Sequence, residues 1–184
     1  MSRMSRAVTL LVVQAVLVLS IAGKYLYERK TCPRVWVRAA QYDPNMPLRG
    51  RYLALQLKVD ACALPHDQGH HSDSIVGSSP PDAGFWRWHV RTVVEGGNLV
   101  PKLAGYDERP ELIEELTQWG NTPCDKAALS DSVEYFIADP AKSPFPAKPG
   151  QELWVEATVP PLGPPRPIQL ALAKDGSFTP LNLK

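Results

Sequence analysis

The residues with the clearest ligating chemistry sit in one short stretch: His66, His70 and His71, with Asp67 and Asp73 beside them. Imidazole and carboxylate groups suit zinc or nickel, so a metal site is the first chemistry this spacing suggests. The run from His66 to Gly84 is polar and rich in Gly, Ser and Pro, which reads as a long solvated loop. His66, His70 and His71 are therefore weak metal candidates, and no metal or other cofactor is expected. His89 alternates with Arg87 and Arg91 along a strand pattern and reads as a surface residue. No Ser stands at a spacing that pairs it with a general-base Lys, so no catalytic residue is nominated and the chain is not expected to be an enzyme. Cys32, Cys62 and Cys124 are odd in number, so at least one is free or bonds another chain. A Cys62–Cys124 disulfide is open to the chain in an oxidising compartment, but nothing in the spacing demands it.

The elements that must position these residues are mostly strands. Arg51 to Ala61 alternates, with Leu53, Leu55, Leu57 and Val59 on one face and Tyr52, Ala54, Gln56, Lys58 and Asp60 on the other. That is the period-2 pattern of a half-buried strand. Phe85 to Val94 repeats it, and Glu95-Gly96-Gly97-Asn98 turns the chain into Leu99 to Ala104. Further strands are expected at Val35 to Ala39, Val133 to Ala138, Glu152 to Val159, Ile168 to Lys174 and Ser177 to Leu183. The last two are joined by an Asp175-Gly176 hairpin turn. One helix is expected between Asp107 and Gly120: Pro110 suits its first turn, and Leu112, Ile113, Leu116 and Trp119 form an apolar stripe at helical spacing. A weaker helical turn is expected around Asp125 to Leu129. The fold class is therefore mainly β, an antiparallel sheet of barrel-like or sandwich form with one short helix.

Composition sets the frame. The chain has 184 residues, a net charge of +1 and 19 prolines. It has no global field that would draw nucleic acid, and room for about one domain once an anchor is set aside. The anchor is the N-terminal segment. Arg3 and Arg6 precede Ala7 to Gly23, which is apolar apart from Thr9, Gln14 and Ser20. At 1.5 Å per residue this run spans roughly 26 Å, near the lower limit for a bilayer, and Tyr25 and Tyr27 extend it into the interface. A signal peptide cleaved near Ser20-Ile21-Ala22 is the alternative, but the apolar run exceeds a usual signal core. The expected organisation is an anchor over 1–30, with its transmembrane helix about 7–27, and one domain over 31–184. The lipid bilayer is the first expected partner. Basic residues lie on both sides of the helix, so charge alone leaves its orientation open.

Between Asp43 and Leu57 the chain reads Asp43-Pro44-Asn45-Met46-Pro47-Leu48-Arg49-Gly50-Arg51-Tyr52-Leu53-Ala54-Leu55-Gln56-Leu57. This segment resembles the signature of the GDYXXLXY domain proteins, bacterial membrane-anchored proteins without an established activity. Gly50, Tyr52 and Leu55 stand at the Gly, Tyr and Leu of that motif, and Asp43, Pro44, Leu48 and Arg49 match upstream. Arg51 replaces the motif Asp, and Leu57 replaces its final Tyr. The resemblance implies an anchor in the cytoplasmic (inner) membrane, a β domain outside the cytoplasm, and a polytopic membrane protein as a further partner. Read physically, the motif residues are structural, with Tyr52 and Leu55 on opposite faces of one strand. Asn45-Met46-Pro47 and Gly50-Arg51 are also similar to the nucleophile segment of signal peptidases. There, however, Asn45 stands in place of the Ser, and Arg51 in place of the Asp. A non-catalytic binding or assembly module is the functional expectation, supported by five amphipathic indoles, Trp36, Trp86, Trp88, Trp119 and Trp154. A metal-binding or hydrolytic domain is the alternative.

Overall fold

The computed structural model describes residues 3–42, 52–72, 84–138, 149–175 and 177–183. The chain divides into two compact units, Met1–Cys32 and Pro33–Lys184. The first is a single helix, α1 (Arg3–Thr31), long and apolar enough to cross a membrane. Within its apolar run the Ser20 hydroxyl donates to the Leu17 carbonyl at 2.8 Å, which satisfies the group without water. Lys24 pairs with Glu28 one turn on, at 3.8 Å.

The second unit is one antiparallel sheet of ten strands. In chain order these are β1 (Arg34–Gln41), β2 (Tyr52–Val59), β3 (His70–Ser72), β4 (Phe85–Glu95), β5 (Asn98–Leu103), β6 (Glu114–Trp119), β7 (Ala127–Phe136), β8 (Glu152–Thr158), β9 (Arg166–Lys174) and β10 (Ser177–Pro180). Their spatial order is β10-β9-β8-β1-β2-β7-β6-β4-β3, with β5 paired to β4. The sheet curls on itself, so that β5 approaches β1 and β2, and β9 approaches β7. The enclosed core takes alternate residues from β1, β2, β4, β6, β7, β8 and β9: Val35 and Val37, Leu53 through Val59, Trp88 and Val90, Leu116, Leu129, Leu153 and Val155, and Leu170. Leu55, Val90, Leu116, Val155 and Leu170 are completely buried. The alternation read for residues 51–61 is therefore the observed one, with Leu55 in the core. Tyr52 lies on the outer face, edge-on to its cross-strand neighbour Phe136 at 5.6 Å. The other motif positions, Asp43, Pro44, Leu48, Arg49 and Gly50, lie outside the described residues.

The expected helix between Asp107 and Gly120 is not formed. Pro110–Leu112 makes a single 3₁₀ turn, and the chain then enters β6, which is hydrogen-bonded to β4 and β7. An isolated helix of that length is marginal in water, whereas a strand here completes ladders on both edges. The apolar stripe fits both periods; in the strand, Leu116 faces the core directly between Trp88 and Leu129. The weaker helical turn is one 3₁₀ turn at Cys124–Lys126, after which β7 begins six residues earlier than the pattern at Val133 suggested. The segment read as loop from His66 contains a 3₁₀ turn at His66–Gln68 and the short strand β3.

Two hairpins close as their sequences require. Gly96 and Gly97 both have positive φ, 58° and 80°, the conformation a two-residue type I′ loop needs. Asp175 likewise has φ 50°, and Ser177 pairs with Lys174 across the turn. In both hairpins a proline follows at a defined register. Ala104 donates to His89 and Leu181 to Leu170, so Pro101 and Pro180 fall at the positions between ladder bonds. An N–H there would point away from the partner strand.

A disulfide joins Cys62 to Cys124, and Cys32 is free. The bond ties the end of β2 to the turn that precedes β7, beside the Val59–Ala127 pair and the Ala61 N–H to Cys124 carbonyl bond of 2.9 Å.

Two stability predictions follow from this packing. Leu55→Ala should cost about 2–5 kcal/mol, while Tyr52→Ala should cost at most about 1 kcal/mol, the scale of one exposed cross-strand pair. Thermal melts of the full chain in mild detergent distinguish them, and equal losses would place Leu55 outside the core. Reducing Cys62–Cys124 should remove about 2–4 kcal/mol, given the 62-residue separation it closes. A melting temperature insensitive to reductant would refute this.

Candidate functional site

The outer face of the sheet carries one row in which adjacent strands set chemistry side by side. Lys58 on β2 is the register partner of Arg38 on β1, which in turn faces Trp154 on β8. Two cations directly opposite each other are unfavourable unless each is neutralised. Arg38 is neutralised: its Nη1 lies 3.3 Å from Asp125 Oδ2 and its Nε 3.1 Å from Glu152 Oε2, and its guanidinium sits over the Trp154 ring at 5.5 Å. Lys126 adds a second contact to Glu152 at 3.8 Å. Lys58 is different. Among the described residues it forms no ion pair, and its Nζ donates to the Gln56 amide oxygen at 3.1 Å. Burial pushes the Lys58 ammonium below its ordinary pKa.

That burial comes from the curl of the sheet. Where β5 approaches β1 and β2, a cleft of about 470 Å³ forms, lined by Trp36, Arg38, Lys58, Asp60, Asn98, Asp125 and Trp154 among others. The Trp154 indole Nε1–H is buried and has no acceptor. Asp60 Oδ1 is already used by the Cys62 N–H at 2.8 Å. On the same outer face Trp36, Trp154 and Phe178 meet, with ring centroids 5.8 Å and 5.3 Å apart for the two contacts to Phe178. Alanines on β9 leave room for this: Ala171 lies opposite Trp154 and Ala173 opposite Phe178.

A second cleft, of about 400 Å³, lies at one end of the core between Arg91–Val94, Glu111–Glu114 and Val159–Pro161. It contains Glu114, which the strand register turns inward opposite Val90. Burial and, less strongly, the charge of Asp131 raise the Glu114 pKa, a hydrogen bond with Thr92 opposes them, and the net value is about 7. Its Oε2 is buried without a hydrogen-bond partner. Nearby, Arg91 Nε is 3.4 Å from Glu108 Oε1.

The histidines pack on indoles. The His66 ring lies 4.8 Å from Trp86 and 5.8 Å from Trp88, and the His71 ring lies 4.7 Å from Trp86. Trp88 donates its Nε1–H to the Pro65 carbonyl at 3.1 Å, and Gly69 passes so close that a Cβ there would fall 2.5 Å from that nitrogen. His70 is exposed beside Arg87 on β4. Among the described residues no three His, Cys, Asp or Glu side chains are grouped to hold a metal ion. Asp73 lies outside the described residues.

Neither cleft was singled out in the sequence. Lys58 read as an ordinary outward residue of its strand, because the cover over it comes from β5, distant in sequence. Glu114 lies in the segment expected to be a helix, and only the strand parity of β6 turns it inward. No family model matches the chain, and no curated protein or solved structure matches it either.

Glu114 generates a pH prediction. A carboxyl whose folded pKa is raised binds its proton more tightly in the folded state, so stability falls as pH rises from about 4.5 to about 7 and is level above that. Glu114→Gln should therefore leave stability at pH 4 unchanged and raise it at pH 8 by about 1–3 kcal/mol, allowing for partial solvent access. Urea unfolding at both pH values measures this, and an equal effect at pH 4 and pH 8 would contradict it.

Proposed function

We propose that this protein is a membrane-tethered binding module of the bacterial envelope, without catalysis of its own, whose domain lies outside the cytoplasm and engages a polytopic membrane protein. The observation that carries the reading is the outer-face cleft, where, among the described residues, Lys58 is half-buried without an ion-pair partner beside the exposed-face rings of Trp36 and Trp154. A binding surface differs from a solvated sheet face in this respect: polar groups are held in place and desolvated before any partner arrives. The apolar helix α1 supports the tether. The Cys62–Cys124 disulfide supports an oxidising compartment, since such bonds are rare in the reducing cytosol. The resemblance to the GDYXXLXY proteins, with Tyr52 and Leu55 as the matching residues described here, supports the same sidedness.

The hydrolytic alternative has one observation in its favour, the Thr92 hydroxyl bonded to a carboxyl titrating near neutrality. A general base for a hydroxyl nucleophile would have that pKa. The same pair is explained by burial of Glu114 on an inward strand position, so the binding reading is preferred.

A photo-reactive residue placed at Asn98, on the cleft, should give one discrete adduct with a membrane protein in native membranes. The same residue at the fully exposed Tyr106 should not. In a Cys32→Ser background, Tyr106→Cys should be labelled by an impermeant maleimide in spheroplasts. Protection of that thiol until lysis would reverse the sidedness, and adducts of equal yield from both positions would defeat the binding reading.

A further inference from the structure

Residues 105–113 supply one wall of the cleft at the end of the core, through Glu111 and Leu112. None of them is fully buried. Among the described residues their backbone hydrogen bonds stay inside the segment, from Glu108 to Gly105, Leu112 to Arg109 and Ile113 to Pro110. The ladder to β4 starts only at Glu114, opposite Val90. Ahead of it, among the described residues, the one ion pair to β4 joins Glu108 to Arg91 at 3.4 Å. A stretch with few buried groups and only local bonds belongs to the least stable part of a fold.

Glu114 is the residue at which this wall joins the sheet, and its surroundings disfavour a charge. The β6–β7 ladder pairs Leu116 with Leu129 and Thr117 with Ala128 and goes no further. Continued, it sets Glu115 against Ser130 and Glu114 against Asp131. The side chains keep that register: Ser130 Oγ donates to Glu115 Oε1 at 3.1 Å, and the Asp131 charge bears on Glu114. Carboxylates opposite one another on adjacent strands repel, and burial adds to the cost of the second charge. The other groups around Glu114 do not balance it. Thr92 on β4 gives one hydrogen bond, Arg91 is shared with Glu108, and Glu111 on the wall is itself acidic. Val159, Pro160 and Pro161 on the far side carry no charge.

We propose that residues 105–113 are a flap over this cleft, latched while Glu114 carries a proton and released when it ionises against Asp131. The flap is independent of the binding reading of the outer face. Movement of Glu114 with the flap carries the carboxylate toward water and away from Asp131, and uncovers Val94 on the opposite wall. Protonation reverses it. A carboxyl that titrates at about 7 in place and near 4.5 in water couples opening to pH across that interval. Opening increases as pH rises through it and is level above.

The test reads exposure of the cleft wall in the full chain in mild detergent, carrying Cys32→Ser and Val94→Cys, as the rate of reaction with a dipyridyl disulfide. Dividing by the rate in the same protein with Glu114→Gln, at the same pH, cancels the ionisation of the thiol itself. The ratio should rise roughly tenfold or more from pH 5 to pH 8. Asp131→Asn should reduce the rise without removing it, because burial is the larger cause. Val155→Cys, at a completely buried position, reports global unfolding and should react roughly a hundredfold more slowly than Val94→Cys at pH 8. Hydrogen exchange over 105–113, in the chain without engineered thiols, is the second measurement. Corrected for intrinsic rates, it should quicken from pH 5 to pH 8 in the parent and stay level in Glu114→Gln. A ratio that is flat over this range overturns the proposal, as does exchange that quickens alike in both proteins. So do equal rates at Val94→Cys and Val155→Cys, which would make the whole domain the unit that opens.

Discussion

Strand β2 is hydrogen-bonded along both edges, to β1 on one side and β7 on the other, and its inward residues Leu53, Leu55, Leu57 and Val59 reach the core from both halves of the curled sheet. Everything else is registered against it. The parity that sends those four side chains inward sends Gln56 and Lys58 outward. Through the Arg38–Lys58 pair it also fixes where β1 presents Trp36 and Arg38. A slip of one residue would exchange the two sets and bury a lysine in place of a leucine, which the core cannot accommodate. The disulfide at the end of the β2–β7 ladder restrains the same register from outside the sheet.

The parity constraint also explains the acidic cleft. Glu114 and Leu116 are two residues apart on β6, so a strand that buries Leu116 must turn Glu114 inward as well. The core ends near Glu114, where Thr92 and the cleft reduce the cost of that placement. The result is a carboxyl that shares its proton with the solvent near neutral pH, on a face otherwise made of apolar groups.

How much of this could be read in the sequence depended on the range of the interactions. The strands with strict alternation, around Leu53–Val59 and Phe85–Val94, and the Gly96-Gly97 turn are local patterns and were legible. The segment 107–120 was not. Its apolar residues satisfy a helical and an extended period alike, and the choice is made by β4 and β7, which meet it only in the folded chain. The clefts lie further still from local pattern: no window containing Lys58 records that β5 will cover it. The histidine cluster was visible as composition, but its rings face indoles that arrive from β4.

Pro101 and Pro180 occupy the same place in two separate hairpins, each removing the donor that would have faced away from its partner strand. Strand rows left with open donors and acceptors recruit further strands, and a proline at that position interrupts the recruitment. The matter is acute wherever copies are held side by side, because confinement raises their effective concentration. Pro101 and Pro180 each leave the outward row of their strand one donor short. A strand short of a donor at that point is a poorer template for a further strand, so crowding need not become coalescence.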